Sequence, residues 1–259
     1  MKPRFVFFLG GHDLEMLTIR GLLQAHAPGR FHDKGLSWGA KTSDYSEEIG
    51  TCLSQGDVPV LIELQDDLGL GPERVVIIDH HGERAGADRP TSLHQVFDLL
   101  GLPSTRWSRW YELVAANDRG YIPAMHEAGA TQEEIIKVRA ADRAAQGITA
   151  EQEAQGAKAA AQAEVRANGK LTLLRLPHSR TATVTDRLEP ALGGPGYQNL
   201  LVISPCQLNF FGKGQFILAL NRSFPGGWYG GGLPERGFWG HSGPLPTATE
   251  VIKMIEDQF

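Results

Sequence analysis

The chain holds only two cysteines in 259 residues, Cys52 and Cys206, and they form no C-x-x-C pair. Neither a disulfide scaffold nor a cysteine-rich zinc site is indicated. A basic excess is also missing: the net charge is -5 and the pI near 6.0. With no overall positive field, long nucleic acid is disfavoured, and a small phosphorylated partner fits more easily. Long apolar runs are absent too. Phe5 to Leu9 is too short for a signal peptide's apolar region, and no stretch approaches a membrane span, so the expectation is a cytoplasmic protein without a membrane partner. Gly212-Lys213-Gly214 lacks the upstream glycine and the Ser/Thr of a P-loop, which argues against a P-loop ATPase.

What is present is a 41% hydrophobic composition, enough for a substantial core, in a chain long enough for two domains. The stretch Val75 to Ile78 followed by Asp79-His80-His81-Gly82 is the most telling. Four apolar residues that stop on an acid and two imidazoles read as a strand buried on both faces. In open α/β sheets ligands bind beyond the carboxyl ends of strands, where these side chains would offer oxygen and nitrogen to a divalent metal. A capped turn with two solvated histidines is the plainer reading of D-H-H alone.

Two other strands end the same way. Phe5 to Leu9 runs into Gly10-Gly11-His12-Asp13-Leu14-Glu15 and then a helix to about Pro28-Gly29. His12, Asp13 and Glu15 are candidate metal ligands there, although Asp13 as N-cap and Glu15 as a first-turn acid are also open. After a polar, Gly-rich segment and a helix over 43–55, the strand Val58 to Leu64 carries Glu63, with Asp66 and Asp67 beyond it. Helices are expected over 91–100 and 104–116, the second ended by Asn117-Asp118-Arg119-Gly120.

Capping-box pairs Thr131/Glu134 and Thr149/Gln152 with an alanine-rich stretch predict helices over 131–168, serving as a connector; a dimer contact is also open. Beyond it come strands at 171–176, 199–203 and 215–220, a helix over 184–192 and a last helix from Thr247. Between the last strand and helix lie Arg222, Gly230-Gly231-Gly232, Arg236 and His241. Dense glycines let backbone N–H groups approach an anion, and the arginines offer forked donors to phosphate; a plain flexible loop is the alternative.

The ordered set Asp79-His80-His81, Asn117-Asp118-Arg119-Gly120, and Asn221-Arg222-Ser223 with Gly230-Gly231-Gly232 resembles the DHH phosphoesterase superfamily, over nearly the whole chain. The resemblance implies an α/β protein with a parallel-sheet DHH-like domain at 1–128, a helical connector at 129–168 and a smaller α/β, DHHA1-like substrate domain at 169–259. It implies a two-metal site between the domains, commonly manganese with magnesium as the other choice, where an activated water attacks phosphorus. His80 and Asp118 would be metal ligands, His81 a phosphate contact or proton donor, and Asp79 an orienting acid; Glu63, with Asp66 as a competitor, corresponds to a strand-end aspartate. Arg222 and the glycines would grip the substrate, a small phosphorylated molecule, a nucleotide or a short single strand.

The chain departs from that pattern. Where the family carries H-x-x-x-D-x-D, the positions four and six beyond His12 are Met16 and Thr18, and Leu233 stands where a histidine usually follows the glycines. Three readings therefore stay open: a phosphoesterase with one metal or a rearranged pair, a protein that keeps the fold and binds a nucleotide or phosphorylated ligand without hydrolysis, or a purely structural partner-binding protein.

Overall fold

The computed structural model describes residues 4–81, 89–243 and 246–258; Gly82 of the D-H-H stretch lies outside them. Two compact units part between Asp118 and Arg119.

In the first unit, β1 (Phe5–Leu9), β2 (Phe31–Asp33), β3 (Val58–Ile62) and β4 (Val76–Ile78) form a parallel sheet in the order β2-β1-β3-β4. Alternation along the strands sends side chains to both faces. Phe8 and Leu61 pack with Tyr45, Ile49 and Cys52 of the segment containing α2 (Ser46–Ser54). Phe7, Leu9, Val60 and Ile62 are equally buried and, by the same alternation, face the other way. There α1 (Leu14–His26) and α3 (Ser92–Leu99) pack on each other. Burial on both faces explains why β1, β3 and β4 read as continuous apolar runs, whereas the half-buried edge strand β2, Phe31-His32-Asp33, does not. The register matters most: Leu9, Ile62 and Ile78 lie in one row across β1, β3 and β4, so their successors leave the sheet at one edge.

α4 (Arg109–Glu127) continues past Asn117 to Gly120, where the sequence suggested an end. The helix is broken there, at Gly120 and Tyr121, and a second helical stretch follows.

The second unit carries β5 (Glu164–Arg166), β6 (Leu171–Arg175), β7 (Leu200–Ile203), β8 (Gln207–Lys213), β9 (Trp228–Gly230) and β10 (Arg236–Ser242), ordered β5-β6-β7-β8-β10-β9, with only β6 and β7 parallel. One face packs on α8 (Gly214–Ser223) and α9 (Ala248–Glu256) through Phe210, Trp239, Phe216, Ile217, Val251 and Ile255. The other packs on α6 (Ala150–Ala161) and α7 (Ala182–Leu188) through Ala159, Val184 and Leu188.

The helices expected over 131–168 form as α5 (Gln132–Ala145) and α6, with both capping boxes in place, and fall within this unit. Residues 215–220, expected as a strand, are helical: Phe216, Ile217 and Leu220 are buried while Leu218 is exposed, the stripe of one helix face. The strand lies just upstream, where Leu208 and Phe210 alternate with residues on the opposite face. Among the described residues no helix is long and apolar enough to cross a membrane.

Candidate metal centre

Four segments deliver charged side chains to the carboxyl edge of the parallel sheet. From the turn after β1, Asp13 caps α1 by accepting the Met16 N–H at 2.9 Å, and Glu15 sits in the first turn, where the positive end of the helix favours an acid. Glu15 is nonetheless only 2% exposed. Its Oε1 accepts the Leu93 N–H at 2.9 Å, an otherwise orphaned donor in the first turn of α3.

Glu63 leaves β3 with φ 51, a left-handed conformation that costs a non-glycine residue roughly 1–2 kcal/mol. The Glu63 N–H donates to Ile78 O at 2.8 Å, and the Ser92 hydroxyl donates to Glu63 Oε1 at 2.8 Å, which together fix the carboxylate. Gly10 is required beside it: a Cβ there would meet the Glu63 carbonyl and lie 2.7 Å from the Ile62 oxygen.

β4 supplies Asp79, His80 and His81. The Asp79 carboxylate accepts the His81 backbone N–H at 2.9 Å and lies 3.5 Å from His81 Nδ1. From α4 comes Asp118. His80, 6% exposed, occupies the centre, with Nε2 at 2.6 Å from Asp118 Oδ2, 3.5 Å from Glu15 Oε2 and 3.6 Å from Glu63 Oε1. His81 Nδ1 is 3.7 Å from Glu63 Oε1. Ligand atoms of Glu63, His80, His81 and Asp118 all lie within 4.8 Å of one another.

The electrostatics are those of a site crowded with one charge. Burial pushes the carboxyls of Glu63, Asp118 and Asp13 up, and neighbouring carboxylates add to it: Asp118 for Glu63 and Asp13, Glu15 for Asp118. For His80, burial opposes the charge, but Asp118 and Glu15 outweigh it and hold the imidazole up at about 11. His81, likewise opposed by burial, is held at about 9 by Asp79 and Glu63.

These two protons do not satisfy the cluster. Glu15 Oε2, His80 Nε2 and Asp118 Oδ2 are buried without a well-formed hydrogen bond, although His80 Nε2 and Asp118 Oδ2 approach to 2.6 Å. Three orphaned polar atoms converging on one point are costly in isolation and suit a cation that accepts electron pairs without regard to N–H direction. Mixed carboxylate and imidazole donors fit a divalent first-row ion or magnesium.

The sheet edge thus gathers Asp13, Glu15, Glu63, Asp79, His80, His81 and Asp118, while His12 is exposed and outside the cluster. Asp66 and Asp67 are occupied elsewhere, accepting hydrogen bonds from Thr42, Ser43 and Leu70. Ser92 and the Leu93 N–H were not legible beforehand; a helix starting after the D-H-H strand was the only sign of them.

In the second unit Arg222 is exposed at the end of α8. Arg236 opens β10 with its guanidinium 4.7 Å from the Tyr197 ring centre, and His241, five residues on, is buried with Nε2 3.2 Å from Pro225 O. Five residue steps along the strand set these two roughly 17 Å apart. The glycines serve close packing: a Cβ at Gly230 would meet the Phe238 ring, and one at Gly231, whose φ is 98, would meet Gly237. Gly232 has more room, its nearest neighbour being Arg236 O.

An α/β protein with an acid-rich, imidazole-centred pocket at the carboxyl edge of a parallel sheet is the class that fold and site define. No protein-family model and no curated protein sequence matches the chain. Among solved structures it is similar to an exopolyphosphatase-related protein from Bacteroides fragilis, with TM-score 0.51, 14% identity, and coverage of 98% of this chain and 91% of that one. The DHH domain of a member of a ribosomal-protein family gives TM-score 0.52 at 14% identity, covering 99% and 86%. RecJ from Thermus thermophilus in complex with Mn2+ gives 0.51 at 13%, covering 99% of this chain and 52% of RecJ. The chain has the fold of these DHH-type proteins.

Proposed function

We propose that the protein is a metal-dependent phosphoesterase that hydrolyses a small phosphorylated molecule or short nucleotide. The observation that carries this reading is the convergence of three orphaned buried atoms, from Glu15, His80 and Asp118, on one point beside Glu63 and His81. A fold shared with an exopolyphosphatase-related protein and with manganese-bound RecJ supports the reaction class.

Glu15, Glu63, His80 and Asp118 hold the cation, with Asp13 adding negative charge behind them. A divalent ion there supplies Lewis acidity toward phosphoryl oxygens and makes water a better nucleophile near neutral pH. The protein contributes placement. Ser92 and the Leu93 N–H keep Glu63 and Glu15 from rotating away, and the register of β1, β3 and β4 sets their spacing. His81 is 21% exposed and therefore reachable by substrate. With its proton retained at neutral pH and its ring oriented by Asp79, it can hold a phosphoryl oxygen or give its proton to the leaving oxygen.

The test is elemental analysis and manganese titration of wild type and His80→Ala, followed by assays with inorganic pyrophosphate, sugar phosphates and short oligonucleotides. Bound divalent metal and manganese-dependent hydrolysis, both lost in the variant, are expected. A wild type that binds no divalent ion, or a verified hydrolysis untouched by His80→Ala, would refute the reading.

A further inference from the structure

The loop after β2 sits beside this centre and bears on what is attached to phosphorus. Both of its ends are pinned. At one, the Lys34 N–H donates to the hydroxyl of Tyr45 at 3.0 Å, and that buried hydroxyl donates to Leu9 O at 2.7 Å. At the other, Ala40 is buried, its carbonyl accepts the Gln65 N–H at 3.0 Å, and Lys41 bridges to Gln65. Leu36 packs on the core cluster that contains Tyr45. Between these anchors, just before Gly39 with its φ of 86, stands Trp38.

Its indole is 52% exposed although the loop around it is tied down. The ring centre lies 5.3 Å from that of His81 at an interplanar angle of 82°, and the His81 ring is 4.2 Å from that of His80. An anchored loop therefore presents a large aromatic surface to solvent, one imidazole away from the centre. Exposed indole is poor use of a residue that stabilises folding when buried, but it suits a flat partner that stacks.

We propose that Trp38 is a stacking platform for the nucleobase next to the phosphate handled at this centre. The class of substrate is then nucleotides and short oligonucleotides rather than pyrophosphate, polyphosphate or sugar phosphates. The inference rests on the phosphoesterase reading for where the phosphate lies. Because every base has a π-face, the platform accepts all bases and holds the larger purines more tightly.

The test is a titration of the 15N-labelled protein, with magnesium present, following its indole N–H signals by NMR; Trp38→Leu identifies the Trp38 signal. The probes are AMP and ribose 5-phosphate. The expected result is a shift of the Trp38 signal with AMP and none with ribose 5-phosphate. Equal shifts with both, or no shift with AMP at saturating concentrations, overturn the platform. This readout is independent of turnover, so a protein that hydrolyses nothing yet shifts with AMP alone refutes the phosphoesterase reading and supports the platform. Where hydrolysis is measurable, Trp38→Leu should raise KM for a diadenylate by about tenfold, with Trp38→Phe retaining most of the affinity. For the same compound with tetrahydrofuran in place of both bases, the KM change should stay below about twofold. Equal effects on both compounds also overturn the proposal.

Discussion

Glu15→Gln separates a metal centre from a merely structural cluster. The substitution keeps an oxygen that can accept the Leu93 N–H, now 2.9 Å from Oε1, and replaces the orphaned Oε2, 3.5 Å from His80 Nε2, by a neutral amide group. Without metal, five carboxylates at Asp13, Glu15, Glu63, Asp79 and Asp118 face two imidazoles, so the charge removed is surplus. Relief of repulsion and of buried-charge desolvation should offset the lost attraction to His80, leaving the metal-free protein unchanged or more stable by up to about 1 kcal/mol. With metal the sign reverses. Two unit charges about 4 Å apart interact by about 4 kcal/mol at an effective dielectric of 20, and the cation carries twice that charge. Even with most of this cancelled by desolvation, a loss of about 2–3 kcal/mol remains, or about a hundredfold in Kd. Calorimetric manganese titration and the metal-induced rise in Tm both read it. A variant destabilised by more than about 2 kcal/mol without metal, yet binding manganese like wild type, would show that Glu15 only buttresses α3.

The same cluster predicts a pH dependence and a steric one. His80 and His81 are raised in the folded state, so their stabilisation is complete below the ordinary histidine value and is lost as pH rises through about 9 and about 11. Asp13, Glu63 and Asp118 are also raised, so they progressively cost stability as pH climbs above the unfolded carboxyl range near 4. Both effects make the metal-free protein less stable with rising pH. Bound metal must displace the imidazole proton of His80, so titrations at pH 7 in buffers of different ionisation enthalpy should report release of about one proton or more; a heat independent of buffer would contradict it. Gly10→Ala places a Cβ against the backbone of Ile62 and Glu63, which cannot swing aside, and should cost about 2–4 kcal/mol and weaken metal binding. Gly11→Ala, whose nearest neighbours are side-chain atoms at 3.7 Å, should change Tm little; equal effects of the two would refute this account.

The candidate site was legible in the sequence where one segment carries its own signal. An apolar run ending in Asp79-His80-His81 can be read without knowing its neighbours, because burial on both faces dictates the run and chemistry dictates its end. What escaped was everything decided by distant contacts. β2 is three residues long, defined by its parallel pairing with β1, and its composition resembles a loop. The 215–220 segment is a short apolar run, which fits a strand or a buried helix equally until the exposure of Leu218 separates them. Ser92 is an ordinary helix-start residue until the fold sets its hydroxyl against Glu63.

The altered spacing after β1 bears directly on the proposed metal centre. Met16 and Thr18 hold the positions where aspartates would be expected, and neither contributes: Met16 is core, and the Thr18 hydroxyl donates back to Leu14 O at 2.7 Å. A cation needs oxygen atoms at a point, not residues at an interval. Here α1 starts directly at Leu14, so the acids fall on the N-cap and the first turn, where the helix end favours negative charge. Glu15 carries one methylene more than aspartate, which extends its reach from the first turn, and α3 returns a backbone N–H that fixes its second oxygen. On the proposed metal-centre reading, the missing carboxylates are supplied one turn early, by a longer side chain with a partner to steady it. That arrangement favours a rearranged metal centre over a lost one.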